Sequence, residues 1–346
     1  MSEVVFAAEV GPLAGLGHLQ RCLALSEALA ELGIASRYFG GDQETASRVT
    51  AAGHRFERLV ARPWTVTAAK EILLGVARLG SSMVVVDPRD EHTAFLRELA
   101  DARAPVCVVD DNGERDIAAD YVVNGNAHAG SLSYSGVPGG RCLLGPDYVL
   151  LPSPYWVDCQ PPINDPPSRL LVTLGGGDPH DLWPRMLDAL SEVPKEVATT
   201  VVIGPFVEES ARLTAAIERF SSRGAVCHAP RSLGELVGRA DLVLTAAGQT
   251  LYELAALGRP GVAIELAENQ GPQLRAFVAA GAVVSVGHVS EPAIEHTAVS
   301  MVLELRSQKE RLQRMAAAGR RLVDGGGARR VAAAIKRWVS GLAAGP

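Results

Sequence analysis

The chain has 346 residues, of which 47% are hydrophobic and 21% are charged, a composition typical of a folded globular protein. A chain of this length usually exceeds what one hydrophobic core serves, so two domains are expected. The formal net charge of −6 argues against nonspecific binding to nucleic acid or to an anionic membrane, because both need a basic face.

Short apolar runs alternate with helical patterns in the N-terminal half. The first predicted strand covers residues 4–8, and a helical pattern over 19–32 follows it. Further continuous apolar runs lie at 83–86, 106–109 and 121–123. Runs of this kind suit strands that are buried on both faces of a parallel sheet, so residues 1–152 are predicted to form one α/β domain.

A proline-rich segment interrupts the pattern. Six prolines lie from Pro152 to Pro167, which predicts a linker over residues 153–168. The apolar runs then resume at 169–174, 199–203, 242–245 and 262–264. Because the stretch 301–342 is helical in pattern, residues 169–346 are predicted to form a second α/β domain with a C-terminal helix. Ligands of such doubly wound domains bind beyond the carboxyl ends of the strands.

A glycine-rich turn separates the first predicted strand from its helix. Residues 15–21 read G-L-G-H-L-Q-R, and glycines there allow a tight turn that brings the N–H groups of a helix start close to an anion. His18 lies at this helix start, where the dipole favours a neutral imidazole that can accept a proton from a nucleophile. The simpler interpretation is an ordinary connection between a strand and a helix.

Two loops of the C-terminal half suit a nucleotide. The glycines of residues 175–177 would let a phosphate approach the backbone, with donors from the following helix, although a flexible turn is the alternative. Residues 248–250 start a second helix that could bind a diphosphate, and Glu253 one turn later could accept the two ribose hydroxyls or be an exposed helix acid. Asn269 and Gln270 could contact sugar hydroxyls or close a turn.

Other catalytic motifs are missing from the sequence. There is no Walker A loop, no HExxH zinc motif, no serine nucleophile elbow and no DxD metal motif. The pair Asp110 and Asp111 follows a predicted strand and is equally compatible with capping and with substrate contact. No metal site is predicted.

Together these segments resemble the UDP-sugar hydrolases of pseudaminic acid biosynthesis and their spore-coat polysaccharide relatives. The matching segments, in chain order, are 15–25, 109–111, 124–127, 144–151, 175–178, 251–253 and 268–270. Since their order and spacing extend through most of the chain, the sequence is identified as a divergent member of this family. The resemblance implies the GT-B architecture of glycosyltransferases: an α/β fold of two Rossmann-like doubly wound domains facing a cleft.

The resemblance also implies roles for particular residues. His18 would activate the nucleophile that attacks the anomeric carbon of a UDP-sugar, with inversion and with no metal or other cofactor. The implied nucleotide-side residues are Gly176, Gly177, Gly248, Gln249, Thr250, Glu253, Asn269 and Gln270. The implied substrate-side residues are Gly17, Arg21, Arg89, Asp110, Asn126 and Tyr148.

Two departures from the family pattern lie on the sugar and nucleophile side. The family's Asp-x-Tyr is replaced by D-P-R-D at residues 87–90, and its Leu-Arg-x-Glu-Phe by L-P-S-P-Y at residues 151–155. The donor class is therefore expected to be retained, with a changed sugar, acceptor or both. Because a guanidinium pairs with a carboxylate, Arg89 suggests a uronic acid such as UDP-glucuronate; a surface or phosphate-contacting arginine is the slightly favoured alternative.

The leading hypothesis is an inverting transfer of a sugar from UDP to a small acceptor such as a nucleobase, as in cytosylglucuronate synthases of antibiotic biosynthesis. The main alternative is a hydrolase that releases UDP from a UDP-amino sugar. A non-catalytic sugar-nucleotide binder and a 2-epimerase are further alternatives.

The sequence also predicts a cytoplasmic protein without membrane insertion. Its five cysteines are odd in number and lack CxxC spacing, which favours reduced thiols over disulfides or zinc. No apolar run reaches the roughly 18 residues that span a bilayer, and no basic segment precedes the first apolar run.

Overall fold

The structure is a computed structural model. It describes residues 3–8, 17–81, 83–88, 92–101, 105–113, 117–134, 136–137, 141–157, 162–230 and 232–343. Residues 341–343 are described by their backbone alone. Contacts divide the chain into two compact units, which comprise residues 1–153 with 326–346 and residues 154–325. No helix in the described ranges is both long enough and apolar enough to cross a membrane.

The N-terminal unit is built on a seven-stranded parallel sheet. Its strands are β1 Glu3–Ala7, β2 Ala35–Gly40, β3 Arg55–Arg58, β4 Met83–Val86, β5 Val106–Val109, β6 Tyr121–Asn124 and β7 Cys142–Leu144. Its helices within the first 153 residues are α1 Gly17–Glu31, α2 Gln43–Ala51, α3 Val66–Leu79 and α4 Thr93–Ala100. The strand order is β3-β2-β1-β4-β5-β6-β7, so the chain reverses direction across the sheet between β1 and β4.

The central strands of this sheet are buried on both faces, because successive side chains point to opposite faces and all of them are covered. Val5, Val84 and Val108 belong to the core under α3 and α4, and all four residues of β4, β5 and β6 are buried. The continuous valine-rich runs therefore form central strands, as the sequence predicts.

The C-terminal unit repeats the plan with six parallel strands in the order β10-β9-β8-β11-β12-β13. The strands are β8 Arg169–Thr173, β9 Ala198–Ile203, β10 Ala225–His228, β11 Leu242–Ala246, β12 Gly261–Glu265 and β13 Val283–His288. The helices are α5 Leu182–Ala189, α6 Ala211–Phe220, α7 Gly234–Arg239, α8 Thr250–Ala256, α9 Gly271–Ala279, α10 Ile294–Arg306 and α11 Lys309–Leu322. Here the reversal lies between β8 and β11.

The last helix, α12 Gly327–Ala343, lies in the N-terminal unit, whereas the sequence assigned it to the C-terminal domain. It packs on α1, and Trp338 stacks on Tyr121 of β6 with ring centroids 3.8 Å apart. Arg329 also pairs with Glu31 at 2.8 Å. The assignment by chain order is corrected because the apolar face of α12 is buried by strands and a helix at the other end of the sequence.

The predicted linker is in part fixed to the C-terminal unit. The backbone N–H groups of Asn164 and Ser168 each donate to the buried carboxylate of Asp241 at 3.0 Å. Residues 158–161 of the predicted linker lie outside the described residues.

Candidate functional site

The candidate site residues lie near the point in each sheet where the strand order reverses. In such sheets the loops after the two strands on either side of the reversal diverge and leave room for a ligand. In the N-terminal unit these loops follow β1 and β4, and in the C-terminal unit they follow β8 and β11. Gly15 and Arg89 lie in these loops but outside the described residues.

His18, in the first turn of α1, is held by a carboxylate from the end of β4. Its Nδ1 lies 2.7 Å from Oδ1 of Asp87, and the backbone N–H of Asp87 extends the sheet by donating to Ala7 at the end of β1. Nη2 of Arg21 also lies 3.1 Å from this Nδ1, but it already donates to Oδ1 of Asp87. Since a carboxylate only accepts hydrogen bonds, we assign the proton of a neutral ring to Nδ1 and the lone pair to Nε2. The ring is therefore oriented as a base that acts through Nε2.

Arg21 joins two carboxylates one helical turn after His18. Its Nε and Nη2 donate to the two oxygens of Asp87, each at 2.5 Å. Its Nη1 donates to Oδ1 of Asp111 at 2.7 Å. All three guanidinium nitrogens thus bind protein carboxylates, so Arg21 fixes the carboxylate partner of His18, and its predicted substrate contact stays a prediction.

The ion pairs fix the protonation of the surrounding groups. Burial by itself would raise the pKa of both aspartates, but Arg21 outweighs it and lowers the pKa of Asp87 and holds that of Asp111 at about 2. Burial raises the pKa of the Cys22 thiol, which donates to Asp87 at 3.6 Å. Both carboxyl groups therefore stay ionised near neutral pH, so neither can act as a general acid.

The remaining predicted substrate-side residues lie in different surroundings. Asp110 is 1% exposed, and its Oδ2 accepts from the backbone of Asn112 and Gly113 and from the hydroxyl of Tyr134. This carboxylate stabilises the loop after β5. Its neighbour Asp111 belongs instead to the cluster of His18, Arg21, Asp87 and Asp111, here called the His18 cluster. The substrate contact predicted for Asp110 stays a prediction.

Asn126 contacts this cluster, whereas Gly17 and Tyr148 have no side-chain hydrogen bond to it among the described residues. The Nδ2 of Asn126 donates to Oδ1 of Asp111 at 2.9 Å. Gly17 is the first residue of α1 and borders open space. Tyr148 lies in a short turn whose backbone packs against Gly125, where a Cβ would lie 2.5 Å from the Cα of Val149. Among the described residues its phenol has no hydrogen bond to the cluster.

The glycine loop after β8 packs against Gly204, and the following helix is capped by a carboxylate of the protein. Gly175 has φ of 90°, and a Cβ on Gly204 would lie 2.3 Å from the Gly175 carbonyl oxygen. The carboxylate of Asp178 accepts from the N–H groups of Leu182 and Trp183 at the start of α5, both at 2.8 Å. Two N–H groups that the sequence argument offered to a phosphate are therefore occupied by the protein's own carboxylate, while the nucleotide contact of Gly176 and Gly177 stays a prediction.

Glu253 in α8 is a buried carboxyl group with an unused oxygen. Its Oε2 is buried and has no hydrogen-bond partner, and the hydroxyl of Tyr155 hydrogen-bonds the same carboxyl group. Burial raises the pKa of Glu253 to about 7, an effect that Tyr155 only partly opposes. A buried carboxyl left unsatisfied is costly, so the position suits a ligand that supplies hydrogen-bond donors.

The loop before Glu253 offers backbone donors. The N–H groups of Gly248, Gln249 and Thr250 have no acceptor among the described residues. The Gln270 side chain accepts from the N–H of Leu266 at 2.9 Å, so it closes its own loop. Asn269 is exposed.

Sequence reasoning missed Asp87 and Asp111 as members of the His18 cluster. The available signal was positional, because each follows a continuous apolar run that ends at the same edge of the predicted sheet. Within the described ranges no group of three His, Cys, Asp or Glu side chains could hold a metal ion.

The comparisons with known proteins identify the fold. No family model matches the chain. It is 25% identical to the spore coat polysaccharide biosynthesis protein SpsG of Bacillus subtilis over 93% of this chain and 94% of that protein.

Two solved structures are similar over nearly the whole chain. The MurG structure of Acinetobacter baumannii has a TM-score of 0.68 at 15% identity, covering 97% of this chain and 100% of that one. The UDP-GlcNAc 2-epimerase of Neisseria meningitidis, bound to UDP-GlcNAc, has a TM-score of 0.67 at 11% identity with the same coverage. The chain is thus an α/β protein of two Rossmann-like parallel-sheet domains with the GT-B fold, which confirms the predicted fold class.

Proposed function

We propose that the protein is an inverting, metal-independent glycosyltransferase that moves a sugar from UDP to a small acceptor. The 2.7 Å contact between His18 Nδ1 and Asp87 Oδ1 carries this proposal, because it leaves Nε2 as an oriented base. Nε2 would take the proton of the acceptor O–H or N–H while the acceptor oxygen or nitrogen attacks C1 of the sugar. The C1–O bond breaks, UDP leaves with its electron pair, and Asp87 stabilises the imidazolium that forms.

The nucleotide is assigned to the C-terminal unit. Glu253 would accept the two ribose hydroxyls, which would satisfy its buried Oε2, and the N–H groups of residues 248–250 would donate to the diphosphate. The solved structure of a similar fold with UDP-GlcNAc supports a sugar nucleotide as the ligand. Gly176, Gly177, Asn269 and Gln270 stay predictions on this side.

Hydrolysis is the second candidate, because the same base could activate water. The His18 side chain is 16% exposed, so solvent reaches the ring. Chemistry of the 2-epimerase kind is less well supported, since it would need a second proton-transferring group, and both aspartates of the cluster are held as anions.

The test is release of UDP from a panel of UDP-sugars, with and without candidate acceptors such as cytosine. His18→Ala should reduce release about 10²–10⁴-fold, whereas His296→Ala, an exposed histidine paired with Glu192, should not. Release that needs an acceptor supports transfer, and equal release without one supports hydrolysis. Full activity of His18→Ala would overturn the proposed mechanism.

A further inference from the structure

We propose that Asp111 selects the sugar of the donor, with its Oδ2 accepting a hydrogen bond from a sugar hydroxyl or ammonium group and disfavouring a sugar carboxylate. The inference rests on the proposed function, which brings the sugar to His18.

The two oxygens of Asp111 are used unequally. Oδ1 accepts from Arg21 at 2.7 Å and from Asn126 at 2.9 Å. Oδ2 has no partner among the described residues, and the side chain is 36% exposed. By contrast, both oxygens of Asp87 are bonded and its side chain is 0% exposed. An oriented carboxylate with one open oxygen is an acceptor for a ligand, whereas Asp87 is fully used by the protein.

The loop holds Asp111 in this orientation. Its neighbour Asp110 binds the N–H groups of Asn112 and Gly113 at 3.1 and 2.7 Å, and Gly113 has φ of 62°. A Cβ at Gly113 would lie 2.6 Å from Leu132, so the turn requires glycine. The buried aspartate therefore builds the turn, and the exposed one is presented by it.

The charges of the cluster determine which ligand group is favoured. Asp87 and Asp111 carry two negative charges and Arg21 one positive charge, so these three side chains together carry a net charge of −1. The pKa of Asp111, held at about 2 by Arg21 against the effect of burial, keeps it anionic throughout the physiological range. All three nitrogens of Arg21 already bind these carboxylates, and its single positive charge is smaller than their combined negative charge, so the three side chains together repel a carboxylate on the ligand.

This charge arrangement opposes the uronic acid suggested by Arg89. A sugar carboxylate near Asp111 would meet a like charge, whereas a hydroxyl or ammonium would satisfy Oδ2. UDP-glucose, UDP-glucosamine and UDP-glucuronate form a matched probe series, because they carry a neutral, a cationic and an anionic sugar.

The experiment measures the dissociation constants of these three probes and of UDP for the wild type and for Asp111→Asn. The wild type should bind UDP-glucuronate more weakly than UDP-glucose, and Asp111→Asn should reduce this difference about tenfold or more while weakening UDP-glucosamine. Affinity for UDP itself should not change. Asp111→Ser should shift selectivity in the same direction if Asp111→Asn folds poorly, and the exposed Asp101→Asn serves as control.

The outcomes separate the two proposals. Unchanged selectivity in both Asp111 variants, or a wild-type preference for UDP-glucuronate, overturns the role of Asp111 alone. Failure of UDP to bind the wild type overturns the proposed function and the inference with it.

Discussion

Each unit buries a carboxyl group near the point where its strand order reverses, but the two groups differ in their hydrogen-bond partners and in the direction of their pKa shift. Asp87 binds Arg21 through both oxygens and His18 through one, and these partners lower its pKa despite burial. Glu253 has one buried oxygen without a partner, and burial raises its pKa to about 7.

The difference indicates different tasks. A charge that is paired on all sides is ready before any ligand arrives and can hold a neighbouring base in one orientation. A buried carboxyl with an unused oxygen costs stability until a ligand supplies the missing donors. The first arrangement suits catalysis and the second suits binding.

The largest effect is expected from Asp87→Asn. The amide can no longer hold the Nδ1–H form of His18, so UDP release should fall about 10³–10⁴-fold, as for other histidine bases that lose their carboxylate. The double variant with His18→Ala should be little worse than His18→Ala alone, because the two residues act as one unit. Activity within tenfold of wild type for Asp87→Asn would remove the pair from the mechanism.

Arg21→Met should mainly destabilise the N-terminal unit. It leaves two carboxylates without their common partner, which typically costs about 3–5 kcal/mol in the free energy of unfolding. Arg48→Met breaks an exposed pair with Glu44 and should cost less than about 1 kcal/mol. Urea unfolding of both variants measures the contrast, and equal costs would mean that the Arg21 clamp is energetically unimportant.

Glu253→Gln should stabilise the protein while weakening UDP binding. Since the pKa rises from 4.5 to about 7 on folding, the unfolded state loses its proton first, and wild-type stability falls as pH rises between these values. The variant lacks this loss and should be more stable at pH 8 by up to roughly 3 kcal/mol. Thermal unfolding at pH 5 and pH 8 tests this, with the exposed Glu235→Gln as control; a difference that does not depend on pH would contradict it.

The same group predicts a pH dependence of UDP affinity. Only the ionised carboxylate accepts both ribose hydroxyls, so wild-type affinity should rise about tenfold from pH 6 to pH 8 as Glu253 ionises. Calorimetric titration with UDP measures this trend. A similar rise in Glu253→Gln would assign the pH dependence to another group.

The smallest effect is expected at the glycine loop after β8. Asp178→Ala removes the cap of α5 and should cost about 1 kcal/mol of stability. UDP affinity should be unchanged, because this helix start is filled by the protein's own carboxylate. Calorimetry and urea unfolding measure the two quantities, and the exposed Glu218→Ala is the control. A loss of UDP affinity would place the start of α5 in the nucleotide site after all.

The central strands were predictable and several outer strands were not. The runs at 83–86, 106–109 and 121–123 are continuous and apolar because β4, β5 and β6 are covered on both faces. Two of the four outermost strands, β3 and β10, have exposed ends and only partly buried centres, so their composition resembles that of loops. Local patterns report burial, and an edge strand has little of it.

What the sequence determined alone is therefore local: the central strands, the helix start at His18, the glycine turns and the helix that carries Glu253. What only the tertiary structure decided is how distant groups meet. Arg21 reaches Asp87 and Asp111 across 66 and 90 residues of chain, and α12 returns to α1 from the other end of the sequence. Charge pairing and burial depend on distance in space, which periodicity along a single chain does not encode.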